Sequence, residues 1–190
     1  MAQVRTDAKP VLRVVGSEGW RYLVEDRTGL LRELLLGWSA GDDLYLLDVS
    51  EIAYLIYKGL AKVLVDGEPI DLDYLYFKLP MDEYGWAKFT VLLDLRERGR
   101  RARSGYSPRE LLYVRGSERV LVLVLEENTL IEASLILEWV RSALMRGYIP
   151  VVAVVDAHGD VTYYSASVVR SSDLSRVYED EGPSRAGEGY

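Results

Sequence analysis

The chain of 190 residues has no cysteine and one histidine, His158. The first absence excludes a disulfide framework, a thiol nucleophile and thiolate zinc sites. The second argues against a histidine-built metal centre, and no metal site is expected. No apolar run approaches the roughly 20 residues that a bilayer span needs, and mean hydropathy is −0.02. The opening Met-Ala-Gln-Val-Arg-Thr-Asp-Ala-Lys-Pro lacks the apolar stretch of a secretion signal, so an intracellular, cytoplasmic protein with no membrane partner is expected. A P-loop, a Gly-rich dinucleotide loop and a Gly-x-Ser-x-Gly elbow are all missing, and no cofactor is expected.

What is present is ordinary in bulk: 49% hydrophobic and 28% charged residues, enough for one core or for a small domain beside a mid-sized one. The formal net charge of −7 is uneven. Residues 1–80 carry a net −4, whereas residues 81–125 carry +3. Residues 126–170 and 171–190 carry −3 each. Inside the positive block, Arg96, Arg98, Arg100, Arg101 and Arg103 surround a single acid, Glu97. Such a run can meet phosphates or an acidic protein surface, or can be a solvated helix end followed by a charged strand.

Residues 1–80 read as a small α/β domain. Val11–Val15 and Tyr22–Val24 have strand character, and Leu44–Leu47 are apolar. Ser50 stands where an N-cap would, ahead of Ile52, Leu55, Ile56 and Leu60 at helical spacing, with Gly59 near the end. Ala61–Val65 then reads as a strand, Asp66-Gly67 as a turn, and Pro80 as a seam.

Residues 81–170 follow the order helix, three strands, helix, two strands. Asp82 is the expected cap of a helix with Trp86, Phe89, Leu92 and Leu93 on one face and Gly99 just past its end. Strands are expected near Arg100–Ser104, Leu111–Val114 and Val120–Leu125, and the unbroken apolar run of the last indicates burial on both faces. Thr129 and Glu132 match a capping box for a helix presenting Ile131, Leu135, Trp139, Val140, Ala143 and Leu144, closed by Gly147. Val151–Val155, a turn over Asp156–Asp160 and Val161–Tyr164 complete the pattern. Residues 171–190, rich in Ser, Glu and Gly, read as a mobile acidic tail. The expected class is therefore α/β (α+β): a small N-terminal α/β domain, then a nuclease-like αβββαββ domain with a mixed central sheet.

Metal-dependent nucleases of that layout need a carboxylate on one central strand and an acid-x-Lys on the next. Leu111–Val114 and Val120–Leu125 carry neither. His158 lies between Asp156 and Asp160 beside Gly159, where a turn residue is the default reading.

Three segments carry a resemblance. Thr90–Arg100, Val-Leu-Leu-Asp-Leu-Arg-Glu-Arg-Gly at its heart, resembles the Asp-Leu-Arg-x-Arg-Gly segment of archaeal tRNA-splicing endonucleases. Val151–Tyr164 resembles their hairpin near the C-terminus, and Val49–Gly59 their N-domain helix. The resemblance implies metal-independent cutting of precursor tRNA at bulge–helix–bulge elements. A 2′-hydroxyl attacks the neighbouring phosphate, leaving a 2′,3′-cyclic phosphate and a 5′-hydroxyl. It also implies a tyrosine, a histidine and a lysine as base, acid and charge stabiliser, roles that such a reaction requires. Tyr113 matches the tyrosine. The histidine is missing from Val114–Val120 and the lysine from Gly147–Pro150, with Arg146 the nearest cation. A degenerate triad with a vestigial Tyr113 and no catalytic residue of its own resembles the family's structural subunit. That subunit pairs with a catalytic subunit, as two of each. The family pattern further assigns Asp156, His158, Gly159, Asp160, Tyr163 and Tyr164 to a subunit interface, where an acidic turn enters a basic groove. Arg96, Arg98, Arg100, Arg101, Arg103 and Arg146 are the candidates for holding precursor tRNA. The alternatives are a self-sufficient endoribonuclease using Tyr113, Arg146 and His158, and a protein-interaction module with no RNA role.

Overall fold

The computed structural model describes residues 9–80 and 84–168. The expected tail over 171–190 and the expected cap Asp82 lie outside the described residues. In chain order the elements are β1 (Val11–Glu18), β2 (Arg21–Glu25), α1 (Leu30–Leu34), β3 (Trp38–Gly41), β4 (Leu44–Leu47), α2 (Val49–Tyr57), β5 (Lys62–Val65), β6 (Glu68–Ile70) and α3 (Leu72–Lys78). They continue as α4 (Gly85–Glu97), β7 (Arg103–Ser104), β8 (Glu110–Arg115), β9 (Glu118–Glu126), α5 (Ala133–Met145), β10 (Ile149–Val155) and β11 (Val161–Ser165). The first six strands form one mixed sheet in the order β3-β4-β2-β1-β5-β6, and the last five form another, β11-β10-β9-β8-β7. The second half thus has the αβββαββ order and the mixed sheet, parallel between β9 and β10 and antiparallel elsewhere.

Helix α2 starts two residues earlier than the sequence suggested. Asp48 is extended and accepts from the Glu51 amide at 2.9 Å, while Glu51 Oε2 accepts from the Asp48 amide at 3.1 Å. This reciprocal box fixes the helix start. Ser50 is not the cap; it lies in the first turn and donates to Asp48 Oδ1 at 2.6 Å. Gly59, with φ +63°, reverses the chain after the helix, where an L side chain is disfavoured.

Helix α4 buries a different face from the one expected. Ala87, Lys88, Val91, Leu92 and Leu95 are inside, Phe89 and Leu93 are half-buried, and Trp86 is 40% exposed. The reason is that α4 lies between α2 and the five-stranded sheet, so both sides are covered and no single apolar stripe exists. The Thr129–Glu132 box does not form either. Glu132 is itself the extended residue before α5 and makes no side-chain cap. On α5, Val140 and Ala143 are buried, but Leu135 and Leu144 are exposed. Strand β9 behaves as read: Val120 to Leu125 are all buried, with α4 packed on one face and α5 against the other.

The two sheets meet along a seam held by side chains reaching for main-chain groups. Arg96 donates to Ala102 O at 2.8 Å and to Leu34 O at 3.1 Å. Arg103 donates to Gly37 O at 3.0 Å, and the Trp38 indole N–H donates to Ser104 O at 3.0 Å. Glu51 Oε1 accepts from Gly37 N at 2.9 Å and Ser104 N at 3.1 Å. Lys88 is buried against the Asp48 carboxylate and donates to Pro108 O at 2.8 Å. The expected strand over Arg100–Ser104 is consequently short; only Arg103–Ser104 pair with β8, and Arg100 and Arg101 are exposed before it.

Candidate functional site

Strand register separates the titratable side chains before any distance is measured. Tyr113 pairs with Val120, and Val120 pairs with Ile149, so these residues share one row at one end of the five-stranded sheet. His158 lies in the turn after Val155, six positions further along β10. At about 3.3 Å per residue the two rows are roughly 20 Å apart. Tyr113 and His158 are therefore not brought together. All five lysines precede residue 89, and none lies on this sheet.

The end bearing Tyr113 is basic. Tyr113 is half-buried and packs with the α4 side of the sheet. A cleft of about 400 Å³ beside it is lined by Arg100, Arg101, Arg103 and Arg115. On the opposite face, Arg119 lies over the Tyr148 ring at 4.8 Å and Arg146 lies over the Tyr106 ring at 4.9 Å. The Tyr106 and Tyr148 hydroxyls hydrogen-bond to each other. Burial and that contact push the Tyr106 phenol above its ordinary value. Glu110 supports the group from below: Oε1 accepts from the Trp139 indole at 2.7 Å and Oε2 from the Tyr106 amide at 2.9 Å. Sequence reasoning found Arg103 and Arg146 but missed Arg115, Arg119, Tyr106 and Tyr148. They come from four separate segments, and no local motif joins them.

Arg96 does not belong with the exposed cations. It is committed to the seam, stacks on Tyr54 at 5.0 Å, and burial lowers its guanidinium below the ordinary value. Arg98 is exposed but bonds Asp94 at 2.8 Å. Arg100 and Arg101 remain open to solvent.

The other end of the sheet is acidic. Glu126, Glu127 and Asp156 line one small cavity there. Asp156 Oδ1 accepts from the His158 amide at 2.8 Å and the Asp160 amide at 2.9 Å. These backbone donors hold its carboxyl below the usual range. Gly159 supplies φ +86° for the turn. His158 is exposed, 4.0 Å from Asp156 Oδ2. The two tyrosines of β11 diverge. Tyr163 donates to Asp94 Oδ2 at 2.7 Å and is held inward against α4, with burial and that bond raising its phenol strongly. It is therefore tied within its own fold, whereas Tyr164 is 56% exposed. Strand β11 bonds only β10 among the described residues, so its outer edge has no strand partner there.

Among the described residues no group of three or more His, Asp or Glu side chains is placed to hold a metal ion. No described helix is long and apolar enough to cross a membrane.

An αβββαββ unit around a five-stranded sheet, joined to a six-stranded mixed sheet, is a nuclease-like fold of the α+β class. The comparisons with known proteins make this specific. A family model described as tRNA intron endonuclease, catalytic C-terminal domain, matches residues 85–163. The tRNA-splicing endonuclease of Thermococcus kodakarensis is 32% identical over 130 residues, covering 65% of this chain and 77% of that protein. That of Methanothermobacter thermautotrophicus is 29% identical over 171 residues, covering 84% and 99%. The chain belongs to the tRNA-splicing endonuclease family.

Proposed function

We propose that this chain is the structural, non-catalytic subunit of a tRNA-splicing endonuclease. It pairs with a catalytic subunit in an assembly of two plus two and works in the cytoplasm. The assembly excises introns at bulge–helix–bulge sites without metal, giving 2′,3′-cyclic phosphate and 5′-hydroxyl ends. Residues 1–80 act as the N-terminal unit and 81–170 as the nuclease-like one.

One observation carries this reading. The cleft beside Tyr113 brings a phenol together with guanidinium groups, and no histidine among the described residues lines it. The chain's only histidine sits at the far end of the sheet. Guanidinium can steady negative charge, but it stays protonated and cannot serve as the acid for a leaving 5′-oxygen. The geometry of the acidic turn supports the partner role. Its main-chain bonds hold Asp156 ionised in a fixed position, the condition for setting register in a basic groove on a neighbour.

The test is cleavage of a bulge–helix–bulge RNA by the chain alone, and with a catalytic partner, alongside native mass measurement of the mixture. Activity only in the mixture, with a two-plus-two mass, is expected. Cleavage by the lone chain would favour an endoribonuclease built on Tyr113 and Arg146 instead.

A further inference from the structure

We infer that the arginine cleft beside Tyr113 is the docking site of this chain's own acidic stretch, Glu179-Asp180-Glu181, which lies outside the described residues. The inference concerns what fills the cleft and holds whether or not the chain is catalytic, so it goes beyond the reading proposed above.

The cleft has the chemistry of an acidic peptide's partner. Arg100, Arg101, Arg103 and Arg115 line it, and no acid does. Arg115 is matched by Glu118 at 2.6 Å, and Arg103 by the Gly37 carbonyl and the Trp38 ring. Arg100 and Arg101 face solvent and make no ion pair among the described residues. The same cleft carries apolar surface: Leu35 is 48% and Val114 58% exposed. A bare anion would neutralise the cations and leave that surface in water. A segment whose carboxylates follow apolar side chains covers both. In the sequence Val177-Tyr178 stands immediately before Glu179-Asp180-Glu181. The opposite face of the same end offers less. There Arg119 and Arg146 lie over the Tyr148 and Tyr106 rings, and Arg146 is 4.0 Å from Glu110.

Topology delivers the stretch to the matching end of the sheet. Strand β11 runs away from the acidic turn, pairing Val161 with Val155 and Ser165 with Val151. The Ala166 amide then donates to Pro150 O at 3.1 Å, one residue from Ile149, which shares the row of Tyr113. The chain therefore passes Val168, the last described residue, at the basic end. From β11 to β8 is three strand spacings, about 14 Å. Glu179 is eleven residues beyond Val168, a reach of up to about 36 Å. Tethering over such a span supplies an effective concentration on the order of millimolar, so even weak contacts fill the cleft. Filled in this way, its guanidiniums are withheld from any other polyanion until that competitor displaces the stretch.

Two measurements on the full chain alone test this. The sequence has no cysteine, so Ser184→Cys carries a single nitroxide label close to the acidic stretch. Amides of Arg100, Arg101 and Arg115 are expected to broaden at low salt and to sharpen at about 1 M salt. No broadening, or broadening confined to other segments, would overturn the inference. Broadening that appears only when labelled chain is mixed with isotope-enriched unlabelled chain would also overturn it, giving the cleft to a second copy. The other measurement uses a fluorescein-labelled hexauridylate as a polyanion probe, read by anisotropy across a salt series. Glu179→Gln with Asp180→Asn and Glu181→Gln is expected to bind it about tenfold more tightly. The salt slope should steepen by about two, because the vacated arginines then shed their own counterions. Glu68→Gln with Asp73→Asn and Glu138→Gln removes the same charge from exposed positions on other elements, and should leave affinity within about twofold. Equal tightening by both triple variants would reduce the effect to net charge and overturn docking. Neither measurement involves a catalytic partner or cleavage, so failure of the structural-subunit reading leaves both intact.

Discussion

Charge is used in opposite ways in two regions of this molecule. Along the seam between the sheets, Asp48, Glu51, Lys88 and Arg96 are buried or half-buried, and their polar atoms meet partners on the other side. At the two ends of the five-stranded sheet charged side chains face solvent: Arg100, Arg101 and Arg119 at one end, Asp160 at the other. The seam charges hold the chain to itself. Those at the ends are available to other molecules. A run such as Arg96–Arg103 cannot be assigned one role, because it begins in the seam and passes out to the surface.

The largest effect that would break this comparison is at Lys88. Lys88→Met leaves the Asp48 carboxylate buried without its cation, and a loss of about 3–5 kcal/mol is expected. Urea unfolding should show a lower midpoint at unchanged slope, whereas a midpoint within error of the parent would mean that the seam is not held by charge. Next, Arg96→Ala removes the donors to the Leu34 and Ala102 carbonyls on the two sides of the seam and should cost about 2 kcal/mol. The same change at Arg101 should leave the midpoint unmoved and alter only RNA or partner binding. Tyr163→Phe, which removes the bond to Asp94, should cost about 1 kcal/mol without affecting assembly. A dimerisation defect there would show that Tyr163 is displayed after all.

The smallest effect separates the regions by sign. Burial, reinforced by Asp48, pushes the Glu51 carboxyl above its ordinary value despite three amide donors. A raised carboxyl favours the folded state below the unfolded value and loses that favour as pH rises through the folded one. Stability carried by Glu51 should therefore fall as pH climbs from the ordinary carboxylate range upward. Asp156 is depressed, so its contribution is present above the unfolded value and fades only as pH drops through the lower folded one. Amide shifts of His158 and Asp160 should report the second transition and those of Gly37 and Ser104 the first. Transitions of the same direction at both places would end the distinction.

Much of the site at the acidic end could be read from the chain, and little of that at the basic end. The Asp156–Asp160 turn closes through bonds between neighbours four residues apart or fewer, so its composition suffices. The Tyr106–Arg146 and Tyr148–Arg119 stacks join residues whose separation along the chain carries no signal. The helix faces divide the same way. Strand β9 is legible because an unbroken apolar run has only one way to be buried. Helix α4 was misread because Lys88 counts as polar in a pattern and as buried in the fold, once Asp48 arrives from another element.

The sequence by itself determined the alternation of strands and helices, the buried central strand, the tight acidic turn, and that residues 114–120 hold no histidine and 147–150 no lysine. These depend on local conformational preference and on which residue types are present at all. Only the tertiary structure decided which arginines are consumed in the seam, that Tyr163 turns inward while Tyr164 does not, and that rings and guanidiniums from distant segments converge. Those outcomes depend on burial and on partners, quantities that exist only once the two sheets are packed together.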